Sequence, residues 1–295
     1  MVVQEPTGTL YVCATPIGNL EDITLRALRV LAEVHLIAAE DTRRTRKLLT
    51  HYDIHTPLIS YHQHNTASRT LELLDKLKVG VDIALVSDAG TPGISDPGQE
   101  IIEKAIQEGI PVIPVPGPSA VITALTIAGY ATDTFTFCGF VPRGRREKRR
   151  FLEDVGQWPH TTVLYEAPHR LLDTLRVLGE TMPKRSLAVC RELTKVHEEV
   201  VRGLPQEVLV HFDHASPRGE CVLVLSAQAA GQPQENDEVG SSMPLPEAVL
   251  QLMAEGVNKK SAIKQVAKER GIPRREVYKA VIDIPAVDFE GHLDS

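Results

Sequence analysis

A stretch of small and polar residues, SDAGTPGISDPG at positions 87–98, has the composition of a ligand-binding loop. It follows an apolar run, 83–86, that predicts a short buried strand. Glycine lets backbone amides approach a ligand closely, proline fixes the course of the chain, and Ser87, Asp88 and Thr91 add polar side chains. In open α/β sheets, ligands bind beyond the carboxyl ends of the strands. We therefore expect a ligand site here, with an ordinary strand-to-helix connection as the alternative.

The end of this stretch, Asp96-Pro97-Gly98-Gln99, has the pattern of a helix N-terminus. Aspartate is a favoured N-cap residue, and proline is favoured at the first helical position. Glutamine at the third position would complete a capping box. The sequence therefore predicts that Asp96 caps the helix that follows.

Two further loops of similar composition follow predicted strands, at 15–22 and 116–120. Their glycine, proline and small residues favour a ligand that is held largely by backbone groups. Neither loop matches the phosphate-binding P-loop or the GxGxxG fingerprint of dinucleotide-binding enzymes. Composition thus predicts a ligand site at the strand ends and does not identify the ligand.

The elements that position these loops alternate between strand and helix over the first 130 residues. Such alternation is typical of βαβ units with a mainly parallel sheet. The spacing is less regular from residue 134, and the segment 193–202 lacks a clear period, which favours a second α/β domain with a mixed sheet. The predicted strands are 9–14, 35–39, 58–61, 83–87 and 111–115 in the first sheet, and 134–140, 161–166, 186–191 and 220–226 in the second.

The second half of the chain also contains a segment rich in Gly, Gln and Ser, which is typical of a flexible linker. Beyond it, helical patterns at 261–270 and 276–282 predict a helix-turn-helix arrangement with a basic outer face. A helical docking module without nucleic-acid contact is the alternative. The expected organisation is an N-terminal α/β domain (8–130), a second α/β domain (131–228), a linker (229–243) and a helical domain (244–285).

Basic residues are concentrated in three stretches, 43–47, 143–150 and 259–279, although the net charge of the 295-residue chain is −7. Local basic surface, rather than net charge, is what phosphate backbones respond to. Solvated helix faces with balancing acids are the alternative. The three stretches together favour RNA or DNA as a partner. The predicted phosphate-contacting residues are Arg43, Arg44, Arg145, Arg146, Arg149, Arg150, Lys260, Arg274 and Arg275.

The four cysteines lie far apart in apolar runs and show no CxxC spacing. This pattern predicts reduced core residues of a cytoplasmic protein and no disulfide framework or zinc site. The HxH pair at 62 and 64 has no clustered acids or cysteines beside it, so no metal site is predicted. No apolar run approaches the roughly 20 residues that a membrane-spanning helix needs.

Six motifs resemble, in order, those of a branch of the tetrapyrrole methylase superfamily that methylates small-subunit ribosomal RNA. They are TPIGNLED (15–22), AEDTR (39–43), SDAGTPGISDPG (87–98), PGPSA (116–120), YEAPHR (165–170) and RELTK (191–195). The resemblance runs from about residue 8 to residue 228, and the C-terminal helices resemble this branch's extra domain. It implies a two-domain fold that binds S-adenosylmethionine in a cleft between the domains. It also implies 2′-O-methylation of a cytidine in 16S ribosomal RNA of the small ribosomal subunit, and a homodimer.

By motif position, the resemblance also assigns residues to the cofactor. Thr91 replaces the aspartate of the superfamily's Gly-Asp-Pro loop, so contacts there are expected from the backbone. Asn19 stands where relatives that act on tetrapyrroles usually have aspartate, which suggests a changed acceptor. The expected cofactor-binding residues are Ile17, Asp88, Gly90, Thr91, Pro92, Ile94, Ser119, Ala120, Glu166 and Leu193.

Methyl transfer to a ribose hydroxyl needs the two reactants aligned and a base for the hydroxyl proton. The candidate bases are Glu40 and Asp41, which end the second predicted strand, and Glu198, which follows a strand of the second domain. Lys195 is expected to position the ribose or a phosphate. Capping of the next helix is the alternative for Glu40 and Asp41.

Two other functions remain open at this stage. The first is methylation of a small tetrapyrrole, which needs neither basic clusters nor an appended helix-turn-helix. The second is a non-catalytic RNA-binding factor on the same fold, which would not need intact cofactor loops.

Overall fold

The computed structural model describes residues 7–213, 219–228, 244–254, 256–270 and 272–282. The chain divides into two compact units, Met1–Ala230 and Gly231–Ser295. The predicted linker at 229–243 lies outside the described residues.

The first half of the first unit is built on a parallel sheet. Its strands are β1 (Leu10–Cys13), β2 (Leu36–Ala39), β3 (Leu58–Ser60), β4 (Ile83–Val86) and β5 (Val112–Val115). They lie in the order β3-β2-β4-β1-β5, and all neighbouring pairs are parallel. Every residue of β4 is buried, as is usual for a parallel strand in the middle of such a sheet. The structure confirms the predicted α/β class and the parallel first sheet.

Five helices alternate with these strands: α1 (Leu25–Glu33), α2 (Thr42–His51), α3 (Thr66–Lys78), α4 (Gln99–Gln107) and α5 (Ala120–Ala128). Helices α1 and α2 begin where a side chain accepts an otherwise unpaired amide. The Ala27 amide donates to Thr24 Oγ1 at 3.1 Å, and the Arg43 amide donates to Asp41 Oδ1 at 2.9 Å. Asp41 therefore caps α2, which is the alternative to a catalytic role that the sequence analysis gave for it.

Helix α4 begins later than predicted, and the predicted capping box is wrong. Its N-cap is Gly98, whose φ of +143° is accessible to glycine and rare for other residues. A Cβ at Gly98 would also lie 3.0 Å from Leu85 Cδ2. Asp96 therefore lies two residues before the N-cap and does not cap the helix.

Five strands form the second sheet of this unit: β6 (Phe135–Phe140), β7 (Thr161–Glu166), β8 (Leu187–Arg191), β9 (Glu199–Gly203) and β10 (Cys221–Leu225). Their order is β6-β7-β10-β8-β9. Only β6 and β7 are parallel, so the sheet is mixed, as predicted. Strand β9 was not predicted, because it is an edge strand without a fully buried residue and thus lacks a clear apolar alternation.

The two faces of the second sheet are covered by different helices. On one face lie α6 (Arg145–Gly156), α7 (Leu171–Thr181) and α8 (Pro205–Asp213), which share a core with β7, β8 and β10. On the other face lies α5, whose Val121 and Leu125 pack with Val163 and Val222. The chain therefore leaves the first sheet at 116–119, before the predicted domain boundary at 130.

A buried polar network joins α6, α7 and β7. Lys148 of α6 is only 2% exposed, and its Nζ donates to Asp173 Oδ2 at 2.7 Å and to Thr174 Oγ1 at 2.9 Å. The Thr174 hydroxyl donates to Glu166 Oε2 at 2.5 Å. Glu166 is fully buried, and Arg170 Nη1 lies 3.4 Å from its Oε1. Each buried charge thus has a hydrogen-bonding partner, which offsets the cost of removing it from water.

The described residues of the second unit form three helices: α9 (Leu245–Ala254), α10 (Lys259–Glu269) and α11 (Arg274–Ala280). Asn258 caps α10 by accepting the Ser261 amide at 2.9 Å. Apolar residues from all three helices form a shared core that includes Val249, Val266 and Val277. The helical character of this region was predicted.

All four cysteines are free thiols. Burial raises the pKa of Cys13 to about 12, that of Cys190 to about 11 and that of Cys221 to about 12. These thiols therefore remain protonated at neutral pH, consistent with core residues. Within the described part of the chain, no helix has the length and apolar character needed to cross a membrane.

Candidate functional site

The loops after β1 and β4 meet where the strand order of the first sheet reverses. From β1 the chain continues to β2 on one side, and from β4 it continues to β5 on the other. Such a reversal opens a crevice between neighbouring loops. The Thr15 amide donates to the Gly90 carbonyl at 2.9 Å, and the Gly90 amide donates to the Thr15 carbonyl at 3.0 Å. These two bonds hold the loops together at the base of the crevice.

A cavity of about 190 Å³ lies between these loops and the second sheet. Its lining is partly apolar, through Ile17, Phe140, Tyr165, Leu193 and Val222. It is also strongly acidic, through Glu40, Asp88, Asp96, Glu192 and Glu220. Exposed residues such as Ile94 and Phe140 form part of the lining, so the cavity opens to solvent. The arrangement suits a ligand with an apolar ring and a positive charge.

Most of the residues that the resemblance assigned to the cofactor are brought together here. Pro92 is buried beside the cavity without lining it, and Glu166 points into the core of the second domain. Side chains alternate between the two faces of a strand, so it is the neighbouring Tyr165 of β7 that faces the cavity. Eight of the ten residues line the cavity: Ile17, Asp88, Gly90, Thr91, Ile94, Ser119, Ala120 and Leu193.

Gly90 shapes the cavity without offering it a free backbone group. Its amide and carbonyl both bond to Thr15, and its φ is +81°. A Cβ at this position would lie 3.5 Å from Ile17 Cγ2. Ser119 and Ala120 bring other backbone groups to the cavity lining. There the N-terminus of α5 meets the cavity, and Ser119 makes no side-chain cap bond. Helix N-termini favour negatively charged groups such as a carboxylate.

The turn at 192–195 closes the cavity from the second sheet. Glu192 and Thr194 have φ values of +50° and +66°, a conformation that costs non-glycine residues about 1–3 kcal/mol each. Glu198 holds the turn by accepting the Thr194 amide at 2.6 Å. Lys195 Nζ donates to Glu192 Oε1 at 2.7 Å. The strain is retained because the surrounding contacts fix the turn.

This turn packs directly against Gly18 in the loop after β1. A Cβ at Gly18 would lie 2.5 Å from Lys195 Cγ and 2.8 Å from both the Leu193 carbonyl oxygen and Thr194 Oγ1. Only glycine therefore allows the two loops to approach this closely. The sequence shows Gly18 within a motif, yet the long-range contact that requires it is visible only in the structure.

The structure places two of the four predicted catalytic residues at the cavity and two away from it. Glu40 and Lys195 line the cavity, whereas Asp41 and Glu198 do not. Hydrogen bonds from the Arg43 side chain and amide hold the pKa of Asp41 well below its usual range. Asp41 and Glu198 both stabilise local structure, as a helix cap and as the acceptor of the turn.

Asp96 is a cavity residue that the sequence reasoning assigned to helix capping. Burial raises its pKa to about 7, and the negative charge of Glu40 adds to this shift, against the hydrogen bond from Ser87. Burial and the charge of Asp88 also raise the pKa of Glu40. The sequence could have indicated that Asp96 lies at the cavity, because it belongs to the same glycine-rich loop as Asp88.

The predicted phosphate-contacting arginines differ in their surroundings. Arg44 lines the cavity, and its Nη1 lies 3.2 Å from Asp88 Oδ2. On α6, Arg149 pairs with Glu180, and Lys148 of the same basic run is buried. The remaining predicted residues have exposed side chains: Arg43, Arg145, Arg146, Arg150, Lys260, Arg274 and Arg275.

A cavity of about 280 Å³ lies between α1 and the edge strand β5, and none of the three loops lines it. Across the residues that the structure describes, no group of three or more His, Cys, Asp or Glu side chains is arranged to hold a metal ion.

Known proteins match the chain over most of its length. The family model of the Tetrapyrrole (Corrin/Porphyrin) Methylases matches residues 9–209. A protein of Synechocystis sp. named ribosomal RNA small subunit methyltransferase I is 49% identical over 95% of this chain and 99% of its own length. A protein of that name from Halalkalibacterium halodurans is 47% identical over 93% and 95% of the two chains.

A third relative of the same name, from Thermotoga maritima, is 47% identical but covers 75% of this chain and 99% of its own length. A quarter of the present chain thus has no counterpart in that protein. The three share their name despite this difference in length.

Solved structures share the fold at lower identity. Uroporphyrin-III C-methyltransferase from Thermus thermophilus, complexed with S-adenosyl homocysteine, covers 74% of this chain and 97% of its own, with 19% identity and a TM-score of 0.53. Diphthine synthase covers 74% and 90%, with 14% identity and a TM-score of 0.57. From the family model and the curated relatives, the chain belongs to the tetrapyrrole methylase family.

Proposed function

We propose that the chain is an S-adenosylmethionine-dependent methyltransferase of 16S ribosomal RNA. Its acceptor is the 2′-hydroxyl of a cytidine, as the resemblance of its motifs implies. The observation that carries the proposal is the cavity at the reversal of strand order, lined by both sheets. The names of relatives that are 47% and 49% identical support ribosomal RNA as the substrate class.

The cavity suits the chemistry of S-adenosylmethionine. Ile17 and Leu193 offer apolar surface to an adenine ring, and Glu40 and Asp88 offer negative charge to an ammonium group. The N-terminus of α5 at 119–120 offers amides to a carboxylate. When bound, this cofactor supplies a methyl group activated by a positively charged sulfur.

The chain's own residues must then align the acceptor and manage its proton. Alignment of two reactants is worth about 7–11 kcal/mol of the barrier. The Arg44 guanidinium is held at the cavity by Asp88 and presents further N–H donors to a phosphate of the acceptor RNA. A carboxylate in the cavity can accept the hydroxyl proton.

Exposed arginines of α6 are proposed to hold the RNA backbone. Replacing Arg146 and Arg150, one helical turn apart and both exposed, with glutamine should weaken RNA binding about tenfold at 0.1 M salt, a rough value for two lost phosphate contacts. The slope of log affinity against log salt should become shallower by about 1.5. Filter binding over a salt series measures both quantities. Replacing Arg26 and Arg29 of α1 removes the same charge from another surface, and should change neither.

The proposed function is tested by incubating the protein with radiolabelled S-adenosylmethionine and either unmethylated small ribosomal subunits or a precorrin. Label in 16S RNA, recovered as 2′-O-methylcytidine after nuclease digestion, is the expected result. Label in the tetrapyrrole would support the second candidate function. Binding of the cofactor without transfer to either acceptor would indicate a non-catalytic factor.

The proposal also includes a homodimer, which rests on the resemblance alone, and a cytoplasmic location, which rests on the pattern of reduced cysteines. Lys260, Arg274 and Arg275 of the second unit are proposed as further RNA contacts.

A further inference from the structure

The turn between β6 and α6, residues 141–144, connects the cavity to the exposed arginines of α6. Phe140, the last residue of β6, lines the cavity, and its ring packs against that of Tyr165 with the centroids 5.3 Å apart. Arg143 within the turn, and Arg145 and Arg146 directly after it, have exposed side chains. The position of the β6–α6 turn therefore decides where these arginines lie relative to the cavity.

Arg170 holds the backbone of the β6–α6 turn. Its Nη2 donates to the Val141 carbonyl oxygen at 2.7 Å and to the Pro142 carbonyl oxygen at 2.6 Å. Its Nη1 lies 3.4 Å from Glu166 Oε1. The Arg170 side chain is 16% exposed and that of Glu166 is fully buried, so these contacts are largely shielded from water. The planar guanidinium presents several donors in a fixed arrangement, which a lysine ammonium group does not reproduce.

The same buried carboxyl group is connected to α6 by a second route. The Thr174 hydroxyl donates to Glu166 Oε2, and Lys148 Nζ donates to the Thr174 hydroxyl oxygen at 2.9 Å. Residues 143–147, between the two points of attachment, are exposed. The arginine-bearing stretch is thus anchored at both ends to one buried network.

We propose that Arg170 is a positioning residue for the RNA substrate, because it fixes the β6–α6 turn before RNA binds. This inference rests on the proposed function. Arg170 does not line the cavity and acts only through the backbone of Val141 and Pro142. A turn that is already ordered loses less conformational freedom when RNA binds, so binding costs less free energy. Strand β7 then serves both reactants, with Tyr165 facing the cavity and Glu166 anchoring the turn.

The competing interpretation is that Arg170 itself contacts a phosphate, as is proposed for the exposed arginines. The contacts of Arg170 favour the positioning role, since both of its Nη atoms already have protein partners. The two interpretations differ in the salt dependence of RNA binding. Loss of a direct phosphate contact makes the slope of log affinity against log salt shallower by about 0.9, whereas loss of positioning leaves the slope unchanged.

The test variant is Arg170→Lys, which keeps the charge and loses the planar arrangement of donors. With unmethylated small ribosomal subunits and saturating S-adenosylmethionine, KM for the subunits should rise about tenfold, the scale of ordering a short segment on binding. The value of kcat should stay within about threefold of wild type. Donor affinity, measured by calorimetry, should also stay within about threefold, because Ile17, Ser119 and Leu193 of the cavity belong to other segments.

The matched control is Arg185→Lys. Arg185 is also a buried arginine that donates to backbone carbonyls, those of Val155, His160 and Ser226, at 2.8–2.9 Å. These carbonyls lie at the end of α6 and at the ends of β7 and β10 that are opposite to the cavity. Arg185→Lys should lower the urea midpoint and leave KM unchanged. A wild-type KM in Arg170→Lys, an equal rise of KM in Arg185→Lys, or a shallower salt slope in Arg170→Lys would overturn the inference.

Hydrogen exchange, followed by mass spectrometry on the protein without RNA, gives a readout independent of turnover. Peptides that cover residues 141–148 should exchange at least about tenfold faster in Arg170→Lys than in the wild type, and at the wild-type rate in Arg185→Lys. Unchanged exchange in Arg170→Lys would overturn the inference even if the protein methylates RNA. If the wild-type protein transfers no methyl group to RNA, the proposed function fails. If it does and Arg170→Lys keeps the wild-type KM, only this inference fails.

Discussion

Replacing Gly18 with valine should lower the affinity for S-adenosylmethionine at least tenfold. The Cβ alone would lie 2.8 Å from the Leu193 carbonyl oxygen, a backbone atom that cannot move without its turn. The Lys195 side chain, 2.5 Å away, can swing aside, but the backbone cannot. Because Glu192 and Thr194 already hold strained conformations, the turn should shift and carry Leu193 out of the cavity lining. Calorimetric titration with the donor measures the loss.

The matched control is Gly179→Ala in α7. A Cβ there has its nearest neighbours at 4.0 Å, so it fits without displacement. Donor affinity should be unchanged, and the free energy of unfolding should rise by about 0.5–1 kcal/mol, as for glycine replaced within a helix. Gly18→Ala should lie between Gly18→Val and the wild type. Unaltered donor binding by a folded Gly18→Val protein would show that the two loops do not control the cavity.

A second large effect, on stability, is expected in the basic run of α6, where Lys148 is buried and Arg150 is exposed. Lys148→Ala should lower the free energy of unfolding by about 2–4 kcal/mol, the range for truncating a buried side chain. The buried aliphatic stem accounts for most of this loss, because Asp173 is 63% exposed and can return to water. Arg150→Ala, at an exposed position, should change it by no more than about 0.5 kcal/mol. Urea denaturation followed by circular dichroism measures both.

Lys148→Met separates the two contributions of the lysine. It keeps most of the stem and removes the charge, so its loss should be clearly smaller than that of Lys148→Ala. Equal urea midpoints for Lys148→Ala and Arg150→Ala would contradict the buried environment of Lys148. The pair also shows why a run of basic residues cannot be treated as one surface.

Local sequence patterns were sufficient for most of the fold. Apolar runs predicted the strands of the first sheet because parallel central strands such as β4 are buried on both faces. The same reasoning missed β9, whose residues are only partly buried at the edge of the second sheet. The start of α4 was wrong because Gly98, with a φ of +143°, takes the N-cap position, and capping preferences based on side chains do not include such a backbone conformation.

The candidate site was predictable as a set of loops and less so as a set of side chains. The motifs assigned Ile17, Ser119 and Leu193 to one site, and all three line the cavity although they lie far apart in the chain. The motifs also assigned Glu166 of β7 to this cavity. Its side chain instead faces the buried polar network, and the preceding residue, Tyr165, lines the cavity. Whether a residue faces the cavity or the core depends on the packing of the second sheet, and a motif does not record this.

The crossing of the chain between its two sheets at 116–119 has a thermodynamic consequence. Residues 119–120, at the cavity, are continuous with the only peptide connection from β5 to the helix that covers the other sheet. Pro116 and Pro118 restrict the backbone of this connection to few conformations. A ligand that touches both residues 119–120 and Leu193 contacts the two sheet-based halves of the first unit at once. Its binding free energy then opposes their separation, and saturating ligand should raise the melting temperature of both halves in a single transition.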